Sequence, residues 1–271
     1  MLRLALMASV VLASGAAIAA PVSRDAAPEA FRLWVDARAG TGKPVYWVAE
    51  GGVYDYPSGR KLAGMVGFDA STVIWPEKPG GEVIHLTRKT FAYTHPETGE
   101  ILTELNGQKV EPVAYPYQLI TYRMEGARIL GDVEQGVGKG IQKIKAGEGM
   151  RWRWMGKDMM AVTAPVFLDM KLPNGAAYQA WENYDFFLSR TPQGEMPYRM
   201  AWQRYGAKPP FLGQGQAIYH LLSWRVDDAE AIPPALLAWA KKEKPMWLKP
   251  PASLEEVRRL QAGEAMEGWA K

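Results

Sequence analysis

A chain of 271 residues with 48% hydrophobic and 23% charged residues can bury a sizeable core and is not disordered by composition. Its formal charge of +3 comes from basic residues interspersed with acids, which argues against a nucleic-acid footprint. There is no cysteine, so disulfides, thiolate metal sites and cysteine nucleophiles are excluded.

The chain opens with Arg3, an uncharged apolar run from Leu4 to Ile18, and the small-x-small sequence Ala17-Ile18-Ala19 before Ala20-Pro21. This predicts a cleavable signal peptide over 1–19 and a periplasmic or secreted protein, because the run is shorter than the roughly 20 residues a spanning helix needs. Residues 20–271 then form a single β-rich domain. A short helix is expected first, from Ala27-Pro28-Glu29 through Phe31, Leu33, Trp34, Val35 and Ala37, with Gly40 as its stop. Lys43 follows a glycine-containing stretch, but Pro44 stands where a phosphate loop needs Ser or Thr.

From Pro44 onward the pattern is short β-type runs. Val45–Ala49 and Val53–Tyr56 flank a predicted turn at Glu50-Gly51-Gly52, followed by Leu62–Phe68, Val73–Trp75, Glu82–Tyr93, Gln118–Met124 and Ala127–Leu130. The Gly- and Lys-rich stretch Gly131–Gly149 is expected to be a connection. Its Gly136–Gly140 run lacks the helix and later acid of a dinucleotide site. Met150–Met155, Met159–Pro165, Val166–Leu172, Tyr178–Leu188, Arg199–Tyr205 and Ala217–Val226 resume the pattern with long aromatic strands. So many evenly spaced strands predict an antiparallel β-barrel or strongly curved sheet, lipocalin-like in general shape, because curling removes open edges. Two helices close the chain, one begun by Pro234 and one by the capping box Ser253-Leu-Glu-Glu256.

The strand Tyr178–Leu188 concentrates the chemistry. Alternation places Tyr178, Ala180, Glu182, Tyr184, Phe186 and Leu188 on one face, so Glu182 is expected to be desolvated, with a raised pKa. The competing reading is an ion pair between Glu182 and Arg153 or Arg204 on a neighbouring strand. His220 shares a face with Ile218, Leu222 and Trp224, and an acid–base pair with Glu182 follows if both look into one interior; the alternative is a core histidine. His85, beside Val83 and Thr87, is a further candidate. Arg151-Trp152-Arg153-Trp154 sends its tryptophans one way and its arginines the other, and Arg153 could clamp a carboxylate or phenolate. The expected interior is thus lined by Trp152, Trp154, Tyr178, Tyr184, Trp202 and Trp224, with Glu182, Arg153 and His220 as polar contacts. The spacing of His85, His95 and His220 defines no metal site, and Gly-x-Ser-x-Gly is absent, so neither a metal nor a cofactor is expected.

The order of Gly51-Gly-Val-Tyr54, His95-Pro-Glu-Thr-Gly-Glu100, Glu182-Asn-Tyr-Asp-Phe-Phe187, Ala201-Trp202-Gln-Arg204, Gly213-Gln-Gly215 and Ile232-Pro-Pro234, with Pro245 and Pro250-Pro251, resembles the DUF1838 domain family of bacterial and fungal proteins. The resemblance runs from about Trp34 to Pro251 and departs from the family's pattern at Leu102–Gly107. It implies one β-rich domain and lends no activity. The leading functional expectation is an exported barrel-like protein that binds a small apolar or aromatic molecule. The alternative is a cofactor-independent lyase, isomerase or hydratase using Glu182 and His220. A third class, an interaction protein, would instead show a filled interior and an exposed aromatic patch.

Overall fold

The computed structural model describes residues 27–78, 80–137, 140–145, 149–171, 177–192 and 196–264. The expected signal peptide over 1–19 lies outside the described residues. Strands β1 (Val45–Asp55), β2 (Lys61–Ile74), β3 (Val83–Thr94), β6 (Val113–Glu125), β7 (Arg128–Val137), β8 (Gly140–Ile144), β9 (Arg151–Met155), β10 (Met159–Lys171), β11 (Ala177–Ser189), β12 (Tyr198–Ala207) and β13 (Gln216–Val226) form one antiparallel sheet. Two short strands, β4 (Glu104–Leu105) and β5 (Gln108–Lys109), make a separate hairpin.

The 11 strands run in the order β8-β7-β6-β3-β2-β1-β13-β12-β11-β10-β9, so the sequence goes round a ring and β13 returns to pair with β1. The ring is unpaired between β8 and β9, which makes it a curled half-barrel. Across that seam, Ile129 and Met150 form an isolated bridge and Trp152 Nε1 donates to the Ala127 carbonyl at 2.8 Å. Curling in this way leaves few strand edges open to another chain.

Helix α1 (Ala27–Ala39) lies inside the curl. Trp34, Val35 and Ala37 pack with Trp47, Val73, Val83, Ile120, Tyr122, Trp152, Val162, Phe186 and Tyr198, which come from strands all round the sheet. Its C-terminal carbonyls are received by a cation, as the helix dipole favours: Arg225 Nη1 donates to Asp36 O at 2.6 Å and Ala37 O at 3.1 Å. Gly40, at φ 82°, ends the helix in the left-handed conformation where a Cβ would be strained. A second concave cluster around Tyr93, Trp202, Phe211, Tyr219 and Leu221 fills the other end, beneath Val110 and the β4–β5 hairpin.

The convex face is covered in part. Helix α2 (Pro234–Glu243) packs Leu236, Leu237 and Ala240 on Tyr46, Val48, Phe68 and Ala70, while α3 (Leu254–Gln261) sets Val257 against Leu86 and Tyr117. Ser253 Oγ accepts from Glu256 N at 3.2 Å, as its capping box predicts. No helix among the described residues is long and apolar enough to cross a membrane.

The predicted turn at Glu50-Gly51-Gly52 is instead the middle of β1. A Cβ on Gly51 would sit 2.0 Å from the His220 carbonyl oxygen, so glycine there serves close strand approach rather than chain reversal. Pro165 likewise does not break β10; it stands beyond Thr163, the last residue paired with β9, where the strand is an edge that tolerates proline. The expected connection Gly131–Gly149 is largely the hairpin of β7 and β8. Its positions 138–139 and 146–148 lie outside the described residues.

Candidate functional site

Between the two concave apolar clusters lies a polar layer. Register places Glu182 beside Arg204, Tyr184 beside Trp202 and Arg204 beside Tyr219, so these five side chains share the concave face. Glu182 is 8% exposed. Its Oε2 accepts from the Tyr184 hydroxyl at 2.7 Å and the Trp202 indole at 3.4 Å, and Arg204 Nε stands 3.4 Å from Oε1. That Arg204 nitrogen has no hydrogen bond of good geometry, so the pair is electrostatic rather than directional. Arg204 also lies over the rings of Tyr178 and Tyr219, at 5.3 and 5.6 Å.

Facing this group from the neighbouring part of the curl are Asp69 on β2, Lys89 on β3 and Tyr115 on β6, which are adjacent in register. Arg38, in the last turn of α1, reaches Asp69 with both terminal nitrogens, at 2.7 and 3.2 Å. The Lys89 ammonium makes no hydrogen bond or ion pair among the described residues, though the residue retains some accessible surface. Between Thr87 and Lys89 the register shifts by a residue, with two residues on β3 opposite three on β6, a β-bulge on β6 that brings Tyr115 to the concave side beside Lys89, which is there by alternation. The bulge is held from the convex side: Trp247 Nε1 donates to the carbonyls of Lys89 and Tyr115 at 3.0 and 3.1 Å, and Arg88 Nε donates to that of Pro116 at 2.9 Å.

Burial dominates the electrostatics. It pushes the Glu182 carboxyl up, against hydrogen bonds from Tyr184 and Trp202 and the positive charge of Lys89, which hold it down. Burial likewise pushes the Tyr184 phenol well above its ordinary value, reinforced by Glu182, and raises Tyr115, so both remain hydroxyl donors at neutral pH. The Lys89 ammonium is lowered by burial and by Arg38, while Asp69 and Glu182 oppose the shift.

The structure divides the residues singled out in the sequence. Glu182, Tyr178, Tyr184 and Trp202 meet on the concave face. Trp152 and Trp154 face the same side but farther along it: Trp152 is packed in the α1 cluster, and Trp154 carries the Arg190 guanidinium 4.1 Å above its ring. His85 is wholly buried in that cluster, stacked on Tyr122, with Nδ1 3.3 Å from the tyrosine oxygen; burial holds it well below its usual pKa and therefore neutral.

Three expectations are corrected. Arg153 is exposed on the convex face, because the concave side of β9 is taken by Trp152 and Trp154. His220 pairs in register with Gln203, not with Trp202 or Arg204, and so projects from the opposite side of the sheet to Glu182. It lines an open convex cleft of about 500 Å³ with Glu50, Tyr54, Lys61 and His95. Trp224 has the same parity as His220 and packs against the α2 cluster. The inner face of β13 carries Ala217, Tyr219, Leu221 and Ser223 instead, and the Glu182–His220 acid–base pair is not formed.

Sequence reasoning missed Lys89, Tyr115 and the Arg38–Asp69 pair. A signal existed for two of them. Lys89 alternates with Thr87, Phe91 and Tyr93 on an otherwise inward strand face, and Arg38 lies one turn after Trp34 on the apolar side of α1.

Fold and site together define a curled antiparallel half-barrel whose concave face holds buried aromatics around a charged layer. Comparison of the chain with known protein families, characterised proteins and solved structures finds no match.

Proposed function

We propose that the protein is exported and binds a small apolar or aromatic molecule on the concave face of the half-barrel. The observation that carries this reading is the polar layer at Glu182, Tyr184, Arg204, Lys89 and Tyr115, set between two apolar clusters on one face. Orientation-fixing polar groups within aromatic walls are the usual composition of a small-molecule site. Export is supported by the leader-like residues 1–19, and the motif order resembling DUF1838 domain proteins belongs to the same proposal. A thermal-unfolding screen against phenolics, terpenoids and fatty acids tests it: some members should raise the midpoint in a concentration-dependent way, and a panel without any shift overturns it.

A second reading, an interaction protein, is favoured by the two clusters that fill the ends of the curl and by an exposed aromatic patch. Phe167, Trp181, Tyr205 and Ile218 are register neighbours on the convex face of β10 to β13, and all are exposed, Phe167 by 77%. Light scattering separates the two, since self-association that Phe167→Ser abolishes would favour this second role.

A further inference from the structure

The charges of the concave layer do not cancel. Arg38 is matched by Asp69, and Arg204 by Glu182, which leaves Lys89 as a third cation with no carboxylate of its own. The carboxylate beside it in register, Asp69, is already held by two Arg38 nitrogens. Glu182, farther round the curl, is already bonded by Tyr184 and Trp202. A cation withdrawn from water without a partner is costly, and an arriving anion removes that cost.

A second donor stands next to the first. Tyr115 is the direct register partner of Lys89, so their Cβ atoms are separated by about 4.5–5.5 Å, and its hydroxyl, too, makes no hydrogen bond among the described residues. The bulge braced by Trp247 and Arg88 fixes both residues on the concave side. Phe91 and Tyr184 supply aromatic surface on that face. The other charged groups facing the pair are Arg38 from α1, Asp69 from β2, Glu182 from β11 and Arg204 from β12.

We propose that Lys89 and Tyr115 form an anion grip, and that the molecule bound on the concave face is an organic acid whose carboxylate sits on these two donors. This rests on the binding role proposed above. Burial lowers the Lys89 ammonium and a bound carboxylate raises it again, so the grip is charged when occupied. Tyr115 stays protonated and donates.

Calorimetric titration of matched pairs, each an aromatic or terpenoid carboxylic acid and its methyl ester, tests the assignment. The unmodified protein should prefer the acid by roughly tenfold or more, as expected for hydrogen bonds to a charged group. Lys89→Met should weaken binding of the acid far more than that of its ester and so erase that preference, and Tyr115→Phe should reduce it several-fold. Equal binding of acid and ester by the unmodified protein, or a preference that survives Lys89→Met, overturns the grip and leaves the binding role intact. If no pair binds at all, the binding role itself fails and the grip with it. Should Lys89→Met not fold, Tyr115→Phe decides alone: an undiminished acid preference overturns the assignment.

Discussion

Two buried arginine–carboxylate pairs tie helices to opposite faces of the same part of the sheet, and they differ in what surrounds them. On the convex side, Arg88 meets Glu256 of α3 and also donates to the carbonyls of Pro116 and Lys249, at 2.9 and 3.0 Å. Each nitrogen of the Arg88 guanidinium thus has a protein partner, which is the condition for a structural clamp. On the concave side, Arg38 and Asp69 also pair, but the side-chain donors of Lys89 and Tyr115 beside them have no acceptor among the described residues. The same device anchors a helix in both places, and in the second it also borders the proposed site, because only there is charge left over.

The largest effect that would sharpen this contrast is Asp69→Ala. Both side chains of the concave pair are 10% exposed or less, so removing the acid strands the Arg38 guanidinium and should cost about 3–5 kcal/mol. Glu256→Ala should cost less, about 1–3 kcal/mol, because that carboxylate is 22% exposed and Arg88 keeps its two carbonyl partners. Chemical denaturation of the two variants side by side measures both; equal losses would mean the faces are built alike.

Trp247→Phe comes next. It keeps an aromatic side chain but removes the indole N–H shared by the Lys89 and Tyr115 carbonyls and part of the buried ring system, which together should destabilise the fold by about 2–4 kcal/mol. If the convex side positions the concave donors, this variant should also weaken ligand binding without touching the ligand. Unaltered affinity at reduced stability would confine Trp247 to support.

Glu182 gives a smaller, pH-dependent effect. Its folded pKa is raised above the unfolded value, so its contribution to stability is fully present below the ordinary carboxyl range and is lost as pH rises through the folded pKa. The unmodified protein minus Glu182→Gln should therefore lose relative stability across that interval on going from acid to neutral pH. Urea unfolding at a series of pH values reads the slope; a difference that grows with pH would mean that Arg204 and Lys89 outweigh burial.

What the sequence made legible follows from which interactions are local. Alternation on Tyr178–Leu188 placed Glu182, Tyr184 and Phe186 on one face, and Gly40, Pro234 and the Ser253–Glu256 box marked helix ends, because pleating and capping depend on residues a few positions apart. Which face of one strand shares a side with which face of another depends on register. His220 and Tyr219 were indistinguishable until the pairing with β12 was known, since a slip of one residue exchanges the two faces. Arg38 with Asp69, 31 residues apart, and Arg88 with Glu256, 168 apart, carry no sequence signal of their pairing at all.

His220→Ala carries the smallest expected effect and the most direct consequence for the contrast between faces. The side chain is half-buried on the convex surface, makes no hydrogen bond among the described residues, and lies across the sheet from Glu182. Its removal should change stability by about 0.5 kcal/mol or less and leave binding of the best ligand from the screen unaltered. A marked loss of binding would place the ligand in the convex cleft with Glu50, Tyr54 and His95, and the uncompensated charge inside the curl would then need another explanation.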